Sequence, residues 1–316
     1  MSSRVFILGT RGSLLATTQA RSVAQLLKSS SGFEIAESII RTEGDDISIS
    51  LTKAARPGVF VSALREALKA GEVDLIVHSY KDLPSLPESG IVIAAVPKRE
   101  DHRDVLISRE NQTLLELPAG ARVGTSSPRR AARIGHLRPD LELLPIRGNV
   151  DSRLSKVSRG EFDAAVLAAA GLNRVGYADK ISEYFTLDQL LPAPAQGALA
   201  VECRIDDEQL IEALSSLEDP YTRLTTAAER AVLVGISATC ATAIGAHATY
   251  SDGTLHLVAE LSASDADEHM RCFASHEDLQ LHNLSLAHAL GLSVAREIMA
   301  TELGSRIGSR IGSTRG

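Results

Sequence analysis

Through the first two-thirds of this 316-residue chain, short apolar segments of strand length alternate with segments of helical period. Strands are expected at Val5–Leu8, Val73–Val77, Ile91–Val96, Val105–Ser108, Arg122–Val123, Glu142–Ile146, Asp163–Leu167 and Ala198–Glu202. Between them, helices are expected at Ser13–Lys28, Val61–Ala70, Pro128–Leu137, Val150–Arg159 and Gln209–Leu217. Such alternation predicts α/β layers with largely parallel sheets. The length calls for two or three domains. In the last third the pattern changes to a helix at Tyr221–Leu233 and a hairpin, His247–Tyr250 and Thr254–Leu261, around Ser251-Asp252-Gly253. A closing helix over Leu284–Leu303 completes a small α+β domain. The tail 304–316 repeats Ser-Arg-Ile-Gly and is expected to lack structure.

Composition removes several function classes. A net charge of −7 and 3% aromatic residues argue against a nucleic-acid binder, which needs cationic surface and stacking platforms. No apolar run reaches the roughly 18 residues of a membrane span. The start of the chain reads as a first strand, not a signal peptide. Cys203, Cys240 and Cys272 form no close pair, so neither a disulfide framework nor a metal site is expected. These features predict a cytoplasmic protein without a metal.

Ligands of open α/β sheets bind beyond the carboxyl ends of the strands. The unusual polar residues of this chain follow those ends: Thr10-Arg11-Gly12-Ser13, His78-Ser79-Tyr80-Lys81-Asp82, Thr125-Ser126-Ser127-Pro128-Arg129-Arg130, Arg147–Arg153, and Arg174. Guanidinium forks bind carboxylates and phosphates in bidentate fashion. Ser13 and Ser127 stand where helix N-caps belong, so backbone N–H donors are expected beside the arginines. One such cluster would read as surface salt bridging; five at strand ends suggest a polyanionic ligand. Asp82 can stabilise a developing cation or move a proton, or it can simply cap a helix before Pro84. Cys240, among small residues, is either an attachment point or nucleophile or an inert thiol.

Taken in order, seven blocks resemble the hydroxymethylbilane synthase (porphobilinogen deaminase) family: Gly9–Gln19, Asp74–Pro84, Gly124–Arg130, Arg147–Leu154, Asp163–Arg174, Leu191–Glu202 and Glu229–Gly245. The resemblance spans nearly the whole chain. It implies two α/β domains like those of periplasmic binding proteins with a hinged cleft, plus a small α+β domain. The implied boundaries are 1–102 with 197–220, 103–196 and 221–303. It also implies an enzyme that polymerises porphobilinogen, with loss of ammonia, on a dipyrromethane cofactor attached by a thioether to Cys240. Asp82 would be the main catalytic residue. Carboxylates of cofactor and substrate would be held by Arg11, Ser13, Lys81, Thr125, Ser126, Ser127, Arg129, Arg130, Arg147, Arg153 and Arg174. The segment Gly44–Gly58 would be a mobile lid, and the protein a monomer. The chain departs from the family pattern at Ile7, where an arginine is common, around Cys240, and at Ala195-Gln196-Gly197, where Gly-Gln-Gly is common.

A solute-binding protein or a pyridoxal-phosphate enzyme using Lys81 would share parts of this pattern, but neither needs Asp82 beside so many arginines.

Overall fold

The computed structural model describes residues 4–40, 59–239, 241–263 and 268–313. The chain divides into two units, Met1–Arg99 with Ala198–Thr222, and Glu100–Gly197 with Arg223–Gly316.

The first unit is built from β1 (Val5–Thr10), α1 (Leu14–Ser31), β2 (Glu34–Ile39), α2 (Val59–Lys69), β3 (Leu75–Ser79) and β4 (Ile91–Ala95). The chain returns to it as β10 (Leu199–Arg204) and α6 (Glu208–Ser215). The sheet order is β2-β1-β3-β10-β4. Strand β1 is parallel to both of its neighbours, and β10 is antiparallel to both of its own. Because β1→β2 and β2→β3 run in opposite directions across the sheet, right-handed crossovers put α1 and α2 on opposite faces. The packing agrees. Ala20, Val23 and Leu27 of α1 meet Phe6, Leu8 and Val201 on one face, together with Leu210 and Leu214 of α6. Leu64, Ala67 and Leu68 of α2 meet Val73 and Ile76 on the other. Ser13 caps the N-terminus of α1, and Gly32, in the left-handed region at φ 73°, closes its last turn.

In the second unit, β5 (Asp104–Ser108) precedes β6 (Arg122–Gly124), α3 (Pro128–Leu137), β7 (Glu142–Leu144), α4 (Val150–Ser158), β8 (Ala164–Ala168), α5 (Ala169–Arg174) and β9 (Glu183–Tyr184). The order β7-β6-β8-β5-β9 repeats that of the first sheet, with β5 in the slot that β10 fills there. Strand β5 is again antiparallel to both neighbours. Each sheet is therefore mixed, with one reversed strand, where the alternation alone predicted largely parallel pairing. The reversed strands are those by which the chain enters the second unit and re-enters the first, which no local pattern reveals.

The same unit carries α7 (Pro220–Gly235, from Arg223 onward), a three-stranded antiparallel sheet β11 (Ile244–Ser251), β12 (Thr254–Ser262) and β13 (His269–His276), then α8 (Leu284–Met299) and α9 (Glu302–Ser313). The β11–β12 turn is Asp252-Gly253, both at positive φ, as a two-residue hairpin requires. Leu224, Val232, Leu257, Cys272, Val294 and Ile298 fill the core between sheet and helices. Helices α7 and α8 come so close that a Cβ at Gly291 would lie 2.2 Å from the Ala228 carbonyl oxygen. The repeats expected to lack structure are helical as α9, because Leu303 and Ile307, four residues apart, pack on this core.

Candidate active site

In each sheet the chain order reverses at β1 or β6, the strand next to the β2 or β7 edge, and a binding crevice belongs at that strand's carboxyl end. In the first unit this is Thr10-Arg11-Gly12-Ser13. Thr10 is buried, Arg11 and Ser13 are half-buried, and the Ser13 hydroxyl accepts the Ala16 N–H at 3.3 Å. Gly9 packs tightly, since a Cβ there would sit 3.1 Å from Val73 and Ile76 methyl groups, which would have to give way by a few tenths of an ångström.

Next to it, β3 ends in a 3-10 turn, Tyr80–Asp82. Its base is fixed three ways. Gln19 of α1 donates Nε2 to the Ser79 hydroxyl at 3.0 Å, Tyr80 N–H donates to the Ala198 carbonyl at 3.0 Å, and Tyr80 and Leu83 are buried. That leaves Lys81 half-buried and Asp82 exposed. The Asp82 carboxylate caps no helix and has no hydrogen bond or ion pair among the described residues. Behind the turn, the buried Glu202 carboxylate accepts from Arg65 at 2.6 Å and lies 3.3 Å from His78. Burial pushes this carboxyl up, but His78 and Arg65 outweigh it and hold it below the usual range.

At the carboxyl end of β6, Thr125 N–H donates to the Leu144 carbonyl, Ser126 Oγ donates to the Ile146 carbonyl at 2.8 Å, and Ser127 caps α3, with Pro128 at the first helical position. Beyond β7, Gly148 turns at φ 110° and Asn149 caps α4 by accepting the Ser152 N–H at 2.9 Å. Arg153 Nε donates to the Gly148 carbonyl at 2.9 Å. The exposed Arg147 guanidinium has no partner among the described residues. After β8, Arg174 donates Nη2 to the Gly197 carbonyl at 2.6 Å, and burial lowers its pKa to about 10 against the opposing field of Glu100.

Arg129 and Arg130, the first arginines of α3, are buried against Asp104, which the sequence reading did not single out. Arg129 Nη1 lies 2.6 Å from Asp104 Oδ2, and Arg130 Nη2 lies 2.7 Å from Oδ1. Gln196 adds Nε2 at 3.0 Å. These donors drive the Asp104 carboxyl far below the usual range despite its complete burial. Two further carboxylates were given no role, although Glu229 opens one of the seven blocks of the resemblance. Glu229 of α7 is fully buried and accepts the Ala195 N–H at 2.6 Å and the Ala248 N–H at 2.9 Å. It thereby ties the turn before Gln196, whose Ala195 sits at φ 62°, to β11. Glu260 of β12 pairs with Arg133 of α3 at 3.2 Å and with Arg271 at 2.7 Å. The one available signal was a lone acidic residue leading or interrupting an apolar segment, as Asp104 leads Val105-Leu106-Ile107.

Cys203 and Cys272 are buried free thiols, pushed up by burial to about 12 and about 11. Cys240 and the segment Gly44–Gly58 lie outside the described residues. Beside Cys240, Thr239 N–H donates to Thr242 Oγ1 at 2.9 Å and Thr242 N–H donates to the Thr239 carbonyl at 3.0 Å. Among the described residues, no group of three or more His, Cys, Asp or Glu could hold a metal, and no helix is long and apolar enough to cross a membrane.

Residues 6–212 match the family model described as porphobilinogen deaminase, dipyromethane cofactor binding domain, and residues 223–300 match porphobilinogen deaminase, C-terminal domain. A porphobilinogen deaminase of Thermobifida fusca is 48% identical over 273 residues, covering 86% of this chain and 85% of the relative. Another, of Nocardia farcinica, is 47% identical over 308 residues, covering 95% and 86%. A periplasmic substrate-binding protein of an ABC transporter from Coxiella burnetii aligns over 69% of this chain and 93% of its own, with a TM-score of 0.42 and 16% identity, too distant to carry an argument.

Proposed function

The chain belongs to the porphobilinogen deaminase family, and from that premise we propose how its own residues divide the work. The family's activity is that of hydroxymethylbilane synthase, a transferase that joins porphobilinogen units, with release of ammonia, into a linear tetrapyrrole on a dipyrromethane cofactor. The residues present suit such a cofactor by their donor chemistry. A dipyrromethane bearing acetate and propionate groups is a polycarboxylate. The carboxyl ends of β6 and β7 offer hydroxyls of Thr125, Ser126 and Ser127, the N-termini of α3 and α4, and the guanidinium of Arg147. When bound, the cofactor supplies the primer on which pyrroles are added.

In the proposal, Cys240 holds that primer through a thioether. Arg129, Arg130, Arg147, Arg153 and Arg174, with Thr125, Ser126 and Ser127, bind carboxylates from the second sheet. Arg11, Ser13 and Lys81 bind them from the first. Asp82 accepts hydrogen bonds from pyrrole N–H groups and opposes the positive charge that develops on the substrate as ammonia leaves. In its protonated form it can give its proton to the departing amine, and the carboxylate left behind is then the counter-charge to the cation. The observation that carries this assignment is the contrast between Asp82 and the other carboxylates near the strand ends. Asp104 and Glu202 are buried and saturated with cationic partners, whereas Asp82 is exposed, partnerless among the described residues, and held on a braced turn.

The proposal includes three domains, 1–102 with 197–220, 103–196, and 221–303, supported by the separate sheets and by the two family-model segments. It also includes a monomer in the cytoplasm, in keeping with the free thiols of Cys203 and Cys272. The test is incubation of the purified protein with porphobilinogen, following consumption of the pyrrole and release of ammonia. Stoichiometric ammonia with formation of hydroxymethylbilane is expected; binding without ammonia would overturn the assignment in favour of a solute-binding role.

A further inference from the structure

We infer that His78 is a positioning residue for Asp82: Glu202 holds it on one face of the first sheet while Gln19 holds Ser79 on the other, and together they fix the direction in which β3 delivers the Lys81–Asp82 turn. The inference rests on the role given to Asp82 above and deepens it.

Successive side chains of a strand point to opposite faces. In β3, Leu75 and Val77 pack with α1, and Ile76 packs with α2. Ser79 continues the α1 face, where Gln19 Nε2 donates to its hydroxyl at 3.0 Å. His78 continues the α2 face. Its register partner on β10 is Ala200, and Glu202, opposite Ile76, is the diagonal neighbour that a long side chain can reach. His78 Nε2 lies 3.3 Å from Glu202 Oε2 and is buried, with no other partner among the described residues. The carboxylate is itself fixed, because Arg65 of α2 grips it twice, Nε to Oε2 at 3.0 Å and Nη2 to Oε1 at 2.6 Å. Arg65 in turn lies 3.5 Å from Glu88.

The two residues before the turn are thus gripped from opposite faces. A strand end held on one face alone can rock about its own axis, and the side chains beyond it swing with that motion. Asp82, exposed and without a partner of its own among the described residues, takes its direction from this base. Misplacing a reacting group by about 1 Å can cost about 10²-fold in rate. Burial of Nε2 and of the Glu202 carboxylate keeps their contact away from the substrate, so His78 acts through the turn.

The test combines kinetics with hydrogen exchange on the full-length, cofactor-loaded chain. His78→Leu keeps the volume, removes the ring nitrogens and leaves Glu202 paired with Arg65. It is expected to lower kcat about 10–10²-fold with KM within about twofold. His78→Gln, which still offers an N–H to Glu202, should stay within about threefold of wild type. The amides of Tyr80 and Leu83, which donate to the Ala198 and Tyr80 carbonyls, should exchange at least about tenfold faster in His78→Leu, with those of Val105–Ile107 unchanged. In an Asp82→Asn background, His78→Leu should cost less than about twofold more, since residues that act as a unit do not add. A full loss in that background would make His78 a general support of the fold. Normal kcat or unchanged exchange at the turn in His78→Leu, or equal losses in the Leu and Gln variants, would remove the brace. Each of these results overturns the inference. Should His78→Leu not fold, Glu202→Gln carries the same comparison, because its single acceptor oxygen goes to Arg65: a loss of about tenfold in kcat is expected that vanishes with Asp82→Asn, and a loss that persists overturns the inference. Near-normal kcat in Asp82→Asn alone would instead remove the role of Asp82, and this inference with it.

Discussion

At the scale of single residues, the account turns on Asp82. Asp82→Asn keeps size and hydrogen-bonding capacity but removes the charge opposite a developing cation. It is expected to fold normally and to lose about 10²–10³ in kcat, as when one preorganised stabilising group is removed; steady-state kinetics with near-normal kcat would refute the role. Gly197 makes a second prediction. It adopts φ 91°, and a Cβ would fall 2.4 Å from the Glu100 carbonyl oxygen. Gly197→Ala should therefore cost about 2 kcal/mol or more in urea unfolding, from backbone strain and the clash together. The arginines and Asp82 could be singled out because they follow the ends of strands or lie in the turns and helices directly after them. Asp104 was not, because its partners lie 25, 26 and 92 residues away in the chain. A carboxylate leading a strand looks like any surface charge until the fold brings α3 and the 193–197 turn over it.

At the scale of elements, legibility followed the strength of the local signals. Helix α3 has the bounds that Ser127 and Pro128 announce. Asn149→Ala tests the same kind of signal in α4. It removes a cap that accepts the Ser152 N–H and is expected to cost about 1 kcal/mol of stability, with Asn149→Asp retaining most of it. Full stability in Asn149→Ala would mean that the tertiary contacts of α4 fix its first turn without the cap. Strand β2, Glu-Ile-Ala-Glu-Ser-Ile, escaped the reading because it is an edge strand with no fully buried residue. Helix α9 escaped because its glycines and serines carry weak propensity, and only packing of Leu303 and Ile307 on the C-terminal core overrides it.

At the scale of the whole molecule, the α/β class and the change of pattern in the last third were visible in the alternation of segments. The shared strand order of the two sheets was not, because β5 and β10 take their slots through contacts far apart in sequence. The buried and half-buried carboxylates of both units also predict how the protein responds to acid. In Asp74, Asp104 and Glu202 burial is the largest single influence and pushes the carboxyl up, yet their partners together hold each below its ordinary range. A carboxyl whose folded pKa is depressed contributes stability above the unfolded pKa and loses it as pH falls towards the folded value. Urea midpoints should therefore be nearly flat around neutrality and fall progressively below about pH 5; a midpoint unchanged down to pH 3 would show that these pairs contribute nothing net. The central claim, that this chain carries its own primer, is tested most directly by the intact mass of the denatured protein beside that of Cys240→Ser. The account predicts a covalent dipyrromethane on the wild-type chain that is absent from the variant. A wild-type mass with no addition, unchanged after incubation with porphobilinogen or preformed hydroxymethylbilane, would contradict it.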